Sequence, residues 1–177
     1  MSKRPKVSGR SLPDMTTAAH GTFTAHGRPL GYSSLTPFLA VSPASAALDF
    51  YRDVFGAEVL GVVKFGDLVA HAELAFEQGR LQLGEPSEEY GLAPQSTTDA
   101  ASFSLALYVP DVDAVVALAV AAGAVVREPA VDFVSGDRFA SIRDPFGVRW
   151  SLMTRVEDLS DEESARRVSE WAATQGG

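Results

Sequence analysis

The feature that most constrains this chain is an internal repeat of one pattern of strands around one helix. Phe55-Gly56-Ala57-Glu58-Val59 is echoed by Ala122-Gly123-Ala124-Val125-Val126. Gly66-Asp67-Leu68-Val69-Ala70 is echoed by Gly136-Asp137-Arg138-Phe139-Ala140. The two pairs of segments are offset by 67 and 70 residues, and they occur in the same order between matching elements. One supersecondary unit is therefore present twice.

The first copy of the unit is predicted over residues 34–86, as one strand, one helix and three further strands. Residues 35–41 are strand-like, and Ser42-Pro43 then opens a helix with serine as the N-cap and proline at the first helical position. Apolar residues recur at helical spacing up to Gly56, which ends the helix. Three short runs with turn residues between them predict strands over 57–65, 68–76 and 80–84.

The second copy is predicted over residues 101–156, after a polar connection over 87–100. The order of elements starts again with a strand over 103–109, and Asp111 caps a helix that ends at Gly123. Strands are then predicted over 124–128, 138–143 and 148–154. The chain is thus predicted to contain two tandem βαβββ units.

The two ends of the chain lie outside the repeat. Residues 1–33 are rich in small and polar residues without a sustained period, so a disordered N-terminal arm is predicted there. Residues 157–177 are predicted to form a C-terminal helix and tail, because Ser160 and Glu163 match a capping box. Val156, Leu159, Val168 and Trp171 offer this helix an apolar side, which could pack on the body or on a second subunit.

In a unit of four strands and one helix, the helix covers only one face of the sheet, so the other face stays free. Two such units side by side can curl their free faces into a cavity of ligand size. The sequence therefore predicts an α+β fold in which two tandem βαβββ units form a curved mixed sheet around a cavity.

Composition excludes several classes of function. The net charge is −8, so the chain does not suit general binding to a phosphate backbone. No cysteine is present, which excludes disulfides and cysteine–metal sites. No apolar run approaches the roughly 20 residues of a membrane span, and no secretory signal pattern follows the basic N-terminal residues. We therefore expect a cytoplasmic protein without nucleic-acid or membrane partners.

Several motifs resemble one known family. The segment 50–58, which begins Phe-Tyr and ends Phe-Gly-Ala-Glu, resembles the helix end of the vicinal oxygen chelate superfamily, to which glyoxalase I, bleomycin-resistance proteins and extradiol dioxygenases belong. His71-Ala72-Glu73-Leu74, Gly136-Asp137-Arg138 and the stretch Asp144–Trp150 resemble its PhnB-like branch. The resemblance covers residues 34–158 and implies the glyoxalase/bleomycin-resistance fold and a homodimer.

The resemblance also implies where a metal would be bound. In the metal enzymes of the superfamily, His, Gln or Glu ligands lie at the start of each unit's first strand and on its fourth strand. Here Thr36 and Ser104 fall at the first-strand positions, Ser151 falls at the fourth-strand position of the second unit, and Gln82 or a neighbour falls at that of the first. The PhnB-like branch commonly has His at the position of Val148. We therefore expect no metal or other cofactor, with a divalent metal as the alternative.

His71 and Glu73 alternate on one strand and share a face, which makes them the candidate catalytic pair. The alternative is that both only form hydrogen bonds on a solvated sheet face. His20 and His26 lie in the predicted arm, and we expect them to be disordered rather than functional.

Side chains alternate between the two faces of a sheet along each strand, and this alternation predicts which residues contact a ligand. Two aromatic rings and a guanidinium on one sheet face can stack a planar molecule and bind its acidic group. The predicted ligand-binding residues are Thr36, Phe38, Ser104, Tyr108, Arg149 and Ser151. Phe38 and Tyr108 could equally pack across the interface between the units, and Trp150 has the opposite parity and is predicted to lie in the core.

Two functional hypotheses follow from these patterns. The first is a binding protein without the usual metal site, which would sequester a small organic molecule such as an antibiotic. The second is a lyase, isomerase or dioxygenase of the same superfamily that depends on a metal or on His71 and Glu73. The sequence leaves open which of the two is correct and which ligand is bound.

Overall fold

A computed structural model describes residues 17–96 and 98–175 of the chain. Over these residues the chain divides into two compact units, with the boundary between residues 35 and 36. In the first of these, Thr24–Ala25 (β1) and Arg28–Pro29 (β2) pair as a short antiparallel hairpin. The hairpin lies within the segment predicted as a disordered arm, and the part of that segment up to residue 16 lies outside the described residues.

The first half of the larger unit forms one four-stranded mixed sheet. Its strands lie in the order β3-β6-β5-β4, with β3 parallel to β6 and the other neighbours antiparallel. One helix, α1, connects the first two strands. The elements are β3 (Phe38–Ala40), α1 (Ala44–Phe55), β4 (Glu58–Phe65), β5 (Leu68–Ala75) and β6 (Arg80–Gly84).

The second half repeats this topology. Its strands lie in the order β7-β10-β9-β8, again with one parallel pair, β7 and β10. The elements are β7 (Leu105–Tyr108), α2 (Val112–Ala121), β8 (Val125–Asp132), β9 (Asp137–Arg143) and β10 (Arg149–Arg155), followed by α3 (Asp161–Gln175). The two βαβββ units and the α+β fold predicted from the repeat are confirmed.

The start of α1 differs from the prediction. Pro43 is the N-cap residue with an extended backbone, and the cap has no side-chain hydrogen bond, so the predicted Ser42 cap is wrong. The carboxylate of Glu85 instead accepts a hydrogen bond of 2.7 Å from the backbone N–H of Ala44. A carboxylate suits this place because the first N–H groups of a helix have no partner within it and carry positive partial charge.

The helix-facing sides of both sheets contribute to one continuous core. Because successive side chains of a strand point to opposite faces, buried residues alternate along β6, at Leu81 and Leu83, and along β10, at Trp150 and Leu152. Trp150 belongs to this core as predicted, and its ring lies 4.7 Å from that of Phe55 and 5.4 Å from that of Tyr51. Helix α1 of the first half therefore packs against a strand of the second half.

Asp144 lies at the centre of this contact and is only 3% exposed. One carboxylate oxygen, Oδ2, accepts hydrogen bonds from the hydroxyl of Tyr51 at 2.7 Å and from the indole N–H of Trp150 at 2.9 Å. The other, Oδ1, accepts from the backbone N–H groups of Phe146 and Val148 at 2.9 Å each. We call these three side chains, Tyr51, Asp144 and Trp150, the Asp144 cluster.

Burial affects the ionisation of both acidic groups in the Asp144 cluster. It raises the pKa of Asp144, against the lowering effect of its four hydrogen-bond donors. Burial also raises the pKa of Tyr51 well above its usual value, and the adjacent carboxylate of Asp144 adds to that effect. Tyr51 therefore stays protonated and serves as a hydrogen-bond donor.

Helix α3 packs on the body of the second half, which is one of the two alternatives predicted for it. The ring of Trp171 lies 5.0 Å from that of Phe133, edge to face, and Ser164 donates to the carbonyl of Ser135 at 2.9 Å. The hydroxyl of Ser160 accepts from the N–H of Glu163 at 3.2 Å, as the capping box predicts. Within the described residues, no helix combines the length and the apolar composition that crossing a membrane requires.

The first prediction concerns the Asp144 cluster. Asp144→Asn replaces one acceptor oxygen with an amide donor, which faces other donors whichever way the amide turns. A buried donor without a partner costs about 1–3 kcal/mol, so we expect the free energy of unfolding to fall by about 3 kcal/mol. Tyr51→Phe removes a single hydrogen bond and should cost about 1 kcal/mol. Urea unfolding measures both, and equal costs would contradict this account.

The second prediction concerns α3. The guanidinium groups of Arg166 and Arg167 lower the pKa of Glu163 to about 2, from an ordinary value of 4.5. A lowered pKa in the folded state stabilises the fold above the unfolded-state pKa, and this stabilisation is lost as the pH falls towards 2. Fluorine NMR of protein labelled with 5-fluorotryptophan should show the Trp171 signal changing over this range. Glu163→Gln is the control, and an unchanged transition in that variant would refute the assignment.

Candidate functional site

The face of each sheet that points away from the helices carries most of the polar residues predicted to be functional, and we call it the open face. On the first sheet, Phe38, Gln82 and Glu73 lie side by side on neighbouring strands. The ring of His71 lies 6.1 Å from that of Phe38. Thr36 lies just before β3, and Phe38 is 37% exposed.

The candidate catalytic pair is on this first open face. His71 and Glu73 share the face as strand parity predicts. The carboxylate of Glu73, however, forms an ion pair with Arg80, and both side chains are largely buried. This ion pair holds the carboxylate of Glu73 beside a cation rather than leaving it free to approach a substrate.

The open face of the second sheet is arranged in three rows across the strands. The middle row consists of Ala106, Ser151 and Ser141, which are register partners on β7, β10 and β9. Ser104, which precedes β7, is hydrogen-bonded to Ser151 with the two hydroxyl oxygens 3.0 Å apart. Two of the predicted ligand-binding residues are thus in direct contact.

A cationic row lies on one side of these hydroxyls. Arg149 and Arg143 are register partners on β10 and β9. The guanidinium of Arg149 donates to the hydroxyl of Ser141 at 3.2 Å and to the carboxylate of Glu128 at 2.9 Å. Arg143 donates to the carbonyl of Ser96 in the connection at 3.5 Å.

An apolar row lies on the other side. Tyr108, Met153 and Phe139 are register partners on β7, β10 and β9, and Val131 on β8 extends the row. Tyr108 is 57% exposed. The second open face therefore changes from apolar through hydroxylated to cationic along its strands.

A separate groove follows the free edge of β7. It has a volume of about 580 Å³ and lies between the end of α1, the turn from β5 to β6, and strand β7 with the loop that follows it. Of the predicted ligand-binding residues, only Tyr108 lines this groove. The other five residues lie on the open faces or at the strand ends that border them.

The residues at the implied metal positions are poor metal donors. The second unit has the hydrogen-bonded hydroxyls of Ser104 and Ser151, and the first has Thr36 and the amide of Gln82. Within the part of the chain that the structure describes, no group of three or more His, Asp or Glu side chains could surround a metal ion. Neutral hydroxyl and amide oxygens bind first-row divalent metals weakly, so this donor set does not fit the metal of the family's enzymes.

Several residues of the open faces were missed by sequence reasoning. Ser141, Arg143 and Glu128 lie on the second open face, and Arg80 lies on the first. Period-2 alternation through the strands predicted over 80–84 and 138–143 was a sufficient signal for Arg80, Ser141 and Arg143. Glu128 was harder to assign because register shifts interrupt β8 on both sides of it.

The third prediction compares the two Arg–Glu pairs. Glu73 is 13% exposed and Glu128 is 54% exposed, so the two carboxylates differ in their access to water. Glu73→Gln removes the carboxylate that pairs with a largely buried guanidinium, and we expect a loss of about 1–3 kcal/mol in the free energy of unfolding. Glu128→Gln should cost less than about 1 kcal/mol. Denaturant unfolding of the two variants tests this order, and the reverse order would be inconsistent with it.

Comparisons with known proteins agree with this geometry. The profile of the Glyoxalase/Bleomycin resistance protein/Dioxygenase superfamily matches residues 34–152. An uncharacterized protein of Mycobacterium bovis is 33% identical over 141 residues, which cover 77% of this chain and 92% of that protein. An uncharacterized protein of Mycobacterium tuberculosis has the same identity over the same length, and 82% of it is covered.

Solved structures show the same fold. TioX from Micromonospora sp. ML1 is 25% identical with a TM-score of 0.55, over 70% of this chain and 98% of that one. A gene product from Arabidopsis thaliana is 27% identical with a TM-score of 0.56, over 68% of this chain and 98% of that one. Together with the matched profile, these likenesses show that the chain belongs to the Glyoxalase/Bleomycin resistance protein/Dioxygenase superfamily.

Proposed function

We propose that this protein binds and sequesters a small organic molecule, such as an antibiotic, on the open faces of its sheets, without a resident metal. The observation that carries the proposal is the hydrogen bond between Ser104 and Ser151, at 3.0 Å, where the family's metal enzymes place His, Gln or Glu ligands. Two hydroxyl groups that are hydrogen-bonded to each other are weak ligands for a divalent cation.

The exposed aromatic residues support ligand binding. Phe38 and Tyr108 are 37% and 57% exposed, so neither residue is buried by packing between the halves. Exposed rings on a sheet face provide apolar area at low conformational cost, and the hydroxyl and guanidinium rows of the second open face provide directional hydrogen bonds. The predicted ligand-binding residues therefore remain accessible.

A homodimer is part of this proposal. Val63, Phe65 and Leu68, near the turn between β4 and β5, are all more than half exposed. Large apolar residues that are exposed together often mark an interaction surface. A second copy covering this surface would also help to enclose a ligand on the adjacent open face. A cysteine-free chain needs no oxidising compartment, which supports a cytoplasmic setting.

The enzyme hypothesis is the less favoured one. It needs His71 and Glu73 to exchange protons with a substrate, but Glu73 is paired with Arg80 and largely buried. The ring of His71 lies beside that of Phe38, an aromatic neighbour that cannot orient an imidazole for proton transfer as a carboxylate does. The geometry thus supports a binding role better than an acid–base role.

The fourth prediction tests the absence of a metal. Elemental analysis of purified protein should find only trace Zn, Ni, Mn and Fe, and a chelator should leave the melting temperature unchanged. Adding these metals should not raise the melting temperature, because only a ligand that binds the folded state stabilises it. Stoichiometric metal whose removal lowers the melting temperature would contradict the proposal.

A further inference from the structure

The geometry points to a specific class of ligand for the second open face: an amphipathic organic anion. Its oxyanion group would be bound by Arg143 and Arg149 with the hydroxyls of Ser104 and Ser151, and its apolar body would lie on the row formed by Tyr108, Met153 and Phe139. This inference rests on the proposed function, and it adds the charge, the orientation and the approximate length of the ligand.

Two arginines lie directly opposite each other on the second open face. Arg149 and Arg143 are register partners on adjacent antiparallel strands, and their side chains are on the same face. Directly opposed residues have Cβ atoms about 4.5–5.5 Å apart, and like charges at that spacing destabilise a sheet. The carboxylate of Glu128, which is more than half exposed, accepts a hydrogen bond from Arg149. An anion bound beside the two guanidinium groups would interact favourably with both.

The two halves of the molecule differ in the residues that surround equivalent arginines. Their registers make Arg149 equivalent to Arg80, because each lies two residues before the fourth-strand residue that pairs with the first strand. In the first half, the neighbouring strand supplies Glu73 to neutralise Arg80. In the second half, the position of Glu73 is taken by Ser141, and that of Ala75 is taken by Arg143.

At these two positions a carboxylate is lost and a guanidinium is gained, while Glu128 supplies a carboxylate opposite Ser141, where the first half has Gly61 opposite Glu73. The fold does not require the change, because the first half forms the same topology without it. The whole chain has a net charge of −8, so a concentration of positive charge here is not a consequence of composition. The cationic row is thus specific to the second open face.

The order and spacing of the three rows indicate the length and orientation of the ligand. Consecutive rows are two residues apart along a strand, and a strand rises by about 3.3 Å per residue. The cationic row and the apolar row, centred on Arg149 and Met153, are therefore about 13 Å apart along the strands. A rigid ligand with an acidic head and an aromatic body of roughly 10 Å fits between these rows. The hydroxyls of Ser104 and Ser151 lie where the head joins the body.

Guanidinium groups bind carboxylates and phosphonates with the same forked geometry. Four probes that share one biphenyl body separate the possibilities: biphenyl-4-carboxylate, biphenyl-4-phosphonate, biphenyl-4-carboxamide and biphenyl-4-methylammonium. In isothermal titration calorimetry at low salt, we expect at least one anion to bind about tenfold or more tightly than the neutral amide, since hydrogen bonds to charged groups are worth more than neutral ones. The stronger of the two anions identifies the head group.

Variants then locate the site. Arg149→Gln and Arg143→Gln should each weaken binding of the preferred anion by about tenfold or more. Arg80→Gln is the matched control at the equivalent position of the first half, and it should leave the affinity unchanged. Glu128→Gln should strengthen binding, because it removes the carboxylate that competes for Arg149. A purely structural role for Arg149 predicts no such gain. Circular dichroism confirms that each variant is folded.

The outcomes of these titrations distinguish a failure of the anion inference from a failure of the proposed function. Equal affinity for the amide and the anions would overturn the anion inference while leaving small-molecule binding intact. An equal loss in Arg80→Gln would place the anion on the first open face and would also overturn it. Tighter binding of the ammonium probe would reverse the sign of the inference. If no probe binds, both the inference and the proposed function are contradicted for aromatic ligands of this size.

Discussion

The carboxylate of Asp144 joins the two halves of this protein through hydrogen bonds. It accepts from the Tyr51 hydroxyl on α1 of the first half, and from the indole of Trp150 and two backbone N–H groups in the second. Burying a carboxylate is costly, and the cost is offset here because four donors surround it. The contact between α1 and the second sheet depends on these hydrogen bonds being complete.

The same carboxylate determines how β10 begins. Its bonds to the N–H groups of Phe146 and Val148 close the turn from which β10 starts. Since side chains alternate along a strand, a turn one residue longer or shorter would exchange the two faces of β10. The turn therefore places Trp150 in the core and Arg149 and Ser151 on the open face. The residues that we assign to the ligand follow from a constraint in the core.

The architecture could be predicted from the sequence because its signals are local and repeated. Helical spacing ending at Gly56, the Asp111 cap and the turn residues between strands each fix one element, and the second copy confirms the first. The cap of α1 could not be predicted, because Glu85 reaches it from the end of β6. A contact between residues 41 positions apart leaves no local pattern in the chain.

The site was predicted less completely than the fold. Parity placed Ser104, Ser151, Arg149 and Tyr108 on one face, which the structure's register shows as well. It did not reveal that Arg143 lies opposite Arg149, since pairing between strands depends on turn geometry. The sequence also indicated the four residues from Asp144 to Gly147 only as a turn, and the hydrogen bonds from Tyr51 and Trp150 to Asp144 are tertiary.

The central claim is that a ligand binds to the second open face without a metal. Backbone amide NMR of uniformly ¹⁵N-labelled, chelator-treated protein, titrated with biphenyl-4-carboxylate, tests it most directly. The account predicts shift changes that saturate and are concentrated in β7, β9 and β10 around Ser104, Ser151 and Arg149. Changes confined to the groove around Phe76 and Gln78, or binding that appears only after metal is added, would contradict it.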